Sequence, residues 1–192
     1  NTFVSIDSVY TGVYNVKNLS FINKTLNDTL HIRSEFRGGK KKEDVFNLSL
    51  YHTINPEGKS VVGVKKSDIT YKENVWFINE HNNSFNKVVF DNNFKDIRVD
   101  SLVLKHNREL IQFAGSIRDS TYKNLKVQFS DVNIGNLVPT VDSLRLKGNL
   151  NGKLSLLQKG KRYYPNSAVT VDSVIINDVG FGDLSVKVSG NE

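Results

Sequence analysis

Between Val141 and Leu157 the chain alternates with period two. Leu144, Leu146, Gly148, Leu150, Gly152, Leu154 and Leu156 hold one parity, and Ser143, Arg145, Lys147, Asn149, Asn151, Lys153 and Ser155 hold the other. Successive side chains of a strand point to opposite faces, so this spacing builds a strand that is apolar on one side and wet on the other. A helix would need a period of 3.6 residues, and no convincing stretch of that kind is present. The pattern recurs along most of the chain and restricts it to antiparallel β architecture.

Composition agrees with the pattern. A chain of 192 residues with 38% hydrophobic and 24% charged residues is that of a folded protein. Aromatic and β-branched residues are plentiful while Ala occurs twice, a balance that favours strands. The longest apolar run, Val75-Trp76-Phe77-Ile78, is far short of the ~20 residues that a membrane helix needs. The sequence has no Met, so a processed product or a fragment of a longer protein is expected. Without Cys there are no disulfides and no thiolate metal sites. The formal charge of +6 is partly due to Lys40-Lys41-Lys42, expected in a solvated hairpin loop. A nucleic-acid surface would interleave exposed aromatics with Lys and Arg, whereas here most aromatics hold the apolar parity.

Further strands follow the same rule. Leu30, Ile32, Ser34 and Phe36 alternate with His31, Arg33, Glu35 and Arg37, and Phe46, Leu48, Leu50 and His52 alternate with Asn47, Ser49, Tyr51 and Thr53. These runs read as an antiparallel pair. Asn55-Pro56-Glu57-Gly58 is a reverse turn before a strand at Ser60–Val64. Ile69–Tyr71 and Val75–Ile78 come next, the latter expected to be buried on both faces or at a subunit junction. Turn signals at Asn92-Asn93, His106-Asn107-Arg108, Gly160 and Asn177-Asp178 separate strands near Ile97–Leu104, Leu110–Ile117, Leu125–Phe129, Val141–Leu157, Val169–Ile176 and Leu184–Val188. The expected organisation is one continuous β-repeat segment over residues 1–192, with two halves meeting near residues 92–96.

One phrase repeats. Ile6-Asp7-Ser8-Val9, Val99-Asp100-Ser101-Leu102, Val141-Asp142-Ser143-Leu144 and Val171-Asp172-Ser173-Val174 share a β-branched residue, Asp, Ser and an apolar residue. The last three begin 42 and 30 residues apart, a spacing typical of repeat architectures. The two apolar residues stand three apart, the wrong interval for one face of a regular strand. The parity flips accordingly: Ile97 and Val99 are odd, Leu102 and Leu104 even. A β-bulge that restores the facing, or a corner where the strand begins afresh, accounts for this.

Alternating Leu and Gly, as in Leu144-Arg-Leu-Lys-Gly-Asn-Leu-Asn-Gly-Lys-Leu-Ser-Leu156, resembles the repeats of the AsmA-like superfamily. Residues Phe94–Glu192, through Val141-Asp-Ser-Leu-Arg-Leu-Lys-Gly and Gly180-Phe-Gly-Asp-Leu-Ser-Val-Lys-Val-Ser-Gly190, resemble the TamB translocation and assembly modules in their Bacteroidetes form. Thr29–Asn79 fits the same family with weaker patterning. The resemblance implies an elongated antiparallel sheet curled into an open trough, the β-taco, with an apolar concave face and a polar outer face. It also implies a periplasmic segment of an inner-membrane-anchored protein of a Gram-negative bacterium, facing a TamA-like outer-membrane assembly barrel. The roles that follow are phospholipid transport between the membranes and assistance to outer-membrane protein assembly. The residues expected to line the groove for acyl chains are Leu30, Ile32, Phe36, Phe46, Leu48, Leu50, Leu102, Leu104, Leu144, Leu146, Leu150, Leu154, Leu156, Leu184, Val186 and Val188. Gly148 and Gly152 are expected to leave gaps there that widen the floor or permit strong coiling.

All six Asp-Ser or Asp-Thr pairs precede Val, Leu or Thr. This resembles the O-glycosylation acceptor pattern of periplasmic Bacteroidetes proteins and makes Ser8, Thr29, Ser101, Ser120, Ser143 and Ser173 candidate acceptors. The alternative is a turn phrase reused by the repeats.

No nucleophile elbow, phosphate loop or His-x-x-x-His pair appears. His31, His52, His81 and His106 are scattered in strands and turns, and the carboxylates are dispersed. No catalytic residue, metal or cofactor is expected. A one-sided sheet is also half of an ordinary β-sandwich, so a structural or adhesive β-repeat module with a filled core is the competing reading. A third is a scaffold that pairs its free edges with nascent outer-membrane strands.

Overall fold

The computed structural model describes residues 1–10, 15–39, 44–138 and 144–190. It is all-β, 76% strand, with antiparallel pairing throughout and one short helix. The Lys40–Lys42 cluster and Val141-Asp142-Ser143 lie outside the described residues. The chain divides into two compact units, Asn1–His106 and Asn107–Glu192. Residues 92–96 fall inside the first.

The first unit holds β1 (Thr2–Tyr10), β2 (Asn15–Leu26), β3 (Thr29–Gly38), β4 (Asp44–Ile54), β5 (Ser60–Val64), β6 (Ser67–Tyr71), β7 (Asn74–Ile78), β8 (Lys87–Phe90) and β9 (Asp96–His106). Hydrogen-bonded order is β1-β2-β3-β4-β5-β8-β9, with β6 joined to β4 and β7, and β7 to β9. The β3–β4 pair has Ile32 opposite Leu50 and Phe36 opposite Phe46. The rings of the latter stack with centroids 4.4 Å apart. In β7, Trp76 is buried, Phe77 and Ile78 are half-buried and Val75 is 38% exposed, so within this chain the run is fully covered at Trp76 alone.

The second unit is a meander of β10 (Glu109–Arg118), β11 (Tyr122–Asn133), β12 (Leu146–Lys159), β13 (Arg162–Ile176) and β14 (Val179–Ser189), in that spatial order. The single helical turn α1 (Ile134–Leu137) follows β11 and is capped by the Asn133 side chain. Two-residue turns close three hairpins with both residues at positive φ: Asn27-Asp28, Lys72-Glu73 and Asn177-Asp178. That is the turn whose twist matches antiparallel strands, and Asn and Asp tolerate its left-handed backbone.

The Asp-Ser phrase has three outcomes. At Val171-Asp172-Ser173-Val174 the register with β12 and with β14 shifts by one residue, and Ser173 sits at φ 55°. Its N–H donates to Asp183 Oδ1 of β14 at 2.8 Å. This is the β-bulge that returns Val174 to the side of Val171. β11 repeats the device with the order reversed: the register shifts at Ser130-Asp131, Asp131 has φ 52°, and its N–H donates to Asn151 Oδ1. At Val99-Asp100-Ser101-Leu102 strand β9 changes partner instead. Ile97–Val99 pair with β8, whereas Leu104 and Lys105 pair with β7. At Ile6-Asp7-Ser8-Val9 the register with β2 is continuous.

The change of partner along β9 is held by asparagines. The connection from β7 to β8 begins at Asn79 and ends at Asn86, 3% and 2% exposed. Asn79 Nδ2 donates to the Val64 and Asn83 carbonyls, and its Oδ1 accepts from Asn83 N–H. Asn86 Oδ1 accepts from Val103 N–H, and Asn86 Nδ2 donates to Asn83 Oδ1. These amides substitute for the missing ladder beside β9, as buried backbone groups demand.

Two carboxylates lend the first unit an acid-sensitive component. The Asp96 and Lys95 N–H groups donate to Asp91 Oδ1 at 2.9 and 2.7 Å, and these backbone bonds hold Asp91 below its ordinary range. Glu80 is lowered chiefly by its hydrogen bond from Lys105 Nζ at 2.8 Å. A depressed folded-state value contributes stability above the unfolded-state value, about 4, and loses it as pH falls through the folded one. The melting temperature is therefore expected to drop on acidification below about pH 4. In Asp91→Asn that acid-side drop is expected to be shallower. Parallel melting curves for the two proteins across the acid range would contradict this.

Candidate functional site

Residues paired across antiparallel strands project to the same side, which lets the expected groove residues be placed row by row. In the second unit one row is Phe113, Val127, Leu154, Ser167 and Val188. The next is Ile111, Phe129, Gly152, Val169 and Val186. A third is Val132, Leu150, Val171 and Leu184. Leu125, Leu156 and Pro165 make a fourth, and Leu146 stands opposite Ile176. The bulges at Ser130-Asp131 and Asp172-Ser173 keep Val132 and Val171 in step with these rows. Both are buried, Val132 completely.

The other members are open to solvent to different degrees. Leu154 is 42% exposed, and Leu184, Val186 and Val188 on the edge strand β14 are 52%, 47% and 42% exposed. Leu144, ahead of β12, is also exposed, whereas Leu146, Leu150 and Leu156 are half-buried. Leu125, Phe113 and Phe129, which sequence reasoning did not single out as lining, join the same rows. Their signal was the same period-two alternation.

In the first unit, Leu30, His52, Val62, Val88 and Val99 form a row across β3, β4, β5, β8 and β9. Ile32, Leu50 and Val64 form the next. Leu48 faces Ser34, and Phe36, Phe46, Ile69 and Trp76 form another row. Leu104 stands opposite Ile78, so even-numbered Leu104 and odd-numbered Val99 share one side, as the flip across Asp100-Ser101 requires. Leu30, Ile32, Phe36, Phe46, Leu48, Leu50, Leu102 and Leu104 are all half-buried. Among the described residues the apolar side chains that are buried outright are Val61, Trp76, Val89, Val132 and Val171.

Gly148 and Gly152 are not gaps. They have φ of 147° and 123°, which L side chains rarely adopt. A Cβ on Gly148 would lie 2.8 Å from Val171 Cγ1. One on Gly152 would overlap the Ala168 carbonyl oxygen and lie 2.8 Å from Val169 Cα. Both mark close approach of β13 to β12.

The candidate acceptors are dispersed. Ser8 is exposed on β1, Ser120 lies exposed in the β10–β11 turn, and Ser173 is exposed at the bulge. Thr29 opens β3 with its hydroxyl donating to the Asn27 carbonyl at 3.3 Å, Ser101 is half-buried on β9, and Ser143 lies outside the described residues. The histidines have separate partners: His52 Nε2 lies 3.2 Å from Ser60 Oγ, and His106 Nδ1 2.7 Å from the Val75 carbonyl. Among the described residues no group of three His, Asp or Glu is placed to hold a metal ion. Among the described residues no helix is long and apolar enough to cross a membrane. Compared with known proteins, the chain matches no family model, no curated protein and no solved structure.

Proposed function

We propose that this chain is a periplasmic segment of a TamB-like module that carries phospholipid acyl chains along the apolar side of a curled β-sheet. The observation that carries this reading is the state of the cross-strand rows. Leu154, Leu184, Val186 and Val188 stay 42–52% exposed while sharing a side with Phe113, Val127, Phe129 and Val169. A sandwich core of the same composition would bury most of them.

The physics of transport suits such a surface. Each acyl methylene taken out of water is worth about 0.8 kcal/mol, so two long chains crossing water face a barrier on the order of 20 kcal/mol. A continuous band of Leu, Val and Phe lowers that barrier at every step. It needs no polar recognition, since acyl chains have none to offer. The proposed trough is formed by the sheet's own coiling, with the bulges at Asp131 and Ser173 increasing local twist. The proposed partners are phospholipid and a TamA-like barrel.

Purification from a Gram-negative periplasm followed by lipid extraction and mass spectrometry tests the reading. Phospholipid is expected in the native protein and lost in Leu154→Asp, whose strand content by circular dichroism is unchanged because the site is exposed. Native protein free of lipid would favour the filled β-repeat module instead. Equal lipid in both proteins would remove Leu154 from the path and with it the assignment of these rows.

A further inference from the structure

The other side of the second unit carries a different surface. Across β10 to β14, Gln112, Gln128, Lys153, Ala168 and Lys187 form one row, and Ala114, Lys126, Ser155, Asn166 and Ser189 form the next. A depression of about 450 Å³ opens over these rows, and a second of about 300 Å³ adjoins it through Lys126, Ser155 and Asn166. The second adds Asn124, Leu157 and Tyr164. Both sizes fall within the range of roughly 300–1,000 Å³ common for ligand clefts. Val127 and Leu154 contribute to the first, but strand alternation aims their side chains the other way, so their backbone forms floor.

Three features point to a ligand. First, the only two alanines of the chain, Ala114 and Ala168, both lie in the floor, on a side otherwise populated by long polar residues. Second, among the described residues no acidic side chain lines either depression and neither Lys126 nor Lys153 forms an ion pair. Two ammonium groups on diagonal positions of adjacent strands, with no carboxylate partner among the described residues, favour an anion over a cation or a neutral surface. Third, the remaining donors and acceptors are side-chain amides and a hydroxyl, and the far end carries the half-buried ring of Tyr164 beside Leu157. Amides match the hydroxyls of a sugar, an aromatic face matches its C–H side, and lysines match carboxylates.

We propose that this groove binds an acidic oligosaccharide, with Lys126 and Lys153 meeting two carboxylates and the Gln128 and Asn166 amides reading hydroxyls. The site is separate from the acyl-chain rows, because the sheet backbone stands between them. Loss of one function leaves the other intact.

Calorimetry with a galacturonate hexamer, its fully methyl-esterified form, inorganic phosphate and an oligothymidylate tests this on the whole chain. The charged hexamer is expected to bind, and the uncharged one to bind at least about tenfold more weakly, having lost both lysine contacts. Lys126→Gln and Lys153→Gln are each expected to weaken the charged hexamer about fivefold. Lys147→Gln, on the same side but outside the depressions, is expected to leave it unchanged. Ala168→Leu, which fills the floor, is expected to abolish binding while Leu154-dependent lipid carriage persists. Failure of the hexamer to bind, equal binding of the ester, equal loss in Lys147→Gln, or displacement by phosphate or oligothymidylate at matched concentration would each overturn the assignment.

Discussion

Replacing Gly152 by alanine is expected to destabilise the second unit by about 3 kcal/mol, combining a backbone that only glycine adopts readily with overpacking. Gly152 has φ 123° and stands between Phe129 and Val169 in the middle of the meander. An added methyl would overlap the Ala168 carbonyl oxygen, which is ladder backbone and cannot turn aside as a flexible side chain would. The informative control is Gly160→Ala in the β12–β13 turn. Gly160 has φ 60° and open space around its missing Cβ, so that change costs only about 1 kcal/mol. Urea denaturation of the two variants separates the contributions. A Gly152→Ala protein as stable as Gly160→Ala would show that β12 and β13 are not held this closely.

The second large effect is expected at Asn86. Its side chain is 2% exposed and accepts from Val103 N–H at 2.9 Å while donating to Asn83 Oδ1 at 3.0 Å. Asn86→Ala strips the Val103 N–H of its acceptor, whereas the exposed Asn83 Oδ1 keeps the Phe85 N–H as a donor, so the cost is about 2 kcal/mol. Because Asn79 and Asn86 are tied through Asn83, the double alanine variant is expected to fall short of additivity by about 1 kcal/mol or more. Hydrogen exchange at the Val103 amide reads the local consequence, with protection falling in Asn86→Ala. Unchanged protection there would mean that Val103 is held by something other than this amide.

Much of the fold was legible because alternation is a local property. The β3–β4 pair, β5 at Ser60–Val64 and the strands of the second unit follow from period two and from turn residues, which need no knowledge of neighbours. The Asp-Ser phrase was legible as an irregularity but not as a kind. At Ser173 it became a bulge because Asp183 of the next strand stood ready to accept the freed N–H, and at Ser101 a change of partner because asparagines from the β7–β8 connection replaced the ladder. Strands β1, β2 and β8 were missed: β8 has only four residues, β2 is interrupted by Asn, and β1 carries apolar residues on both parities. The gaps expected at Gly148 and Gly152 are absent for a related reason: a missing side chain says that something approaches or that something is absent, and only the neighbouring strand decides which.

For the candidate site, the side of each strand to which Leu, Val and Phe belong was written in the parity of the chain. How far each is covered was not, since exposure depends on what the far strands bring, and Leu154 and Leu150 share a parity yet differ in exposure. The groove over Ala114 and Ala168 was likewise invisible beforehand. The two alanines lie 54 positions apart in sequence (168 minus 114), and pairing through β11 and β12 brings them into one floor. Alternation is fixed by covalent geometry and therefore belonged to the sequence. Register, close approach and the company that each side chain keeps arise from hydrogen bonds between distant segments, and only the tertiary structure could decide them.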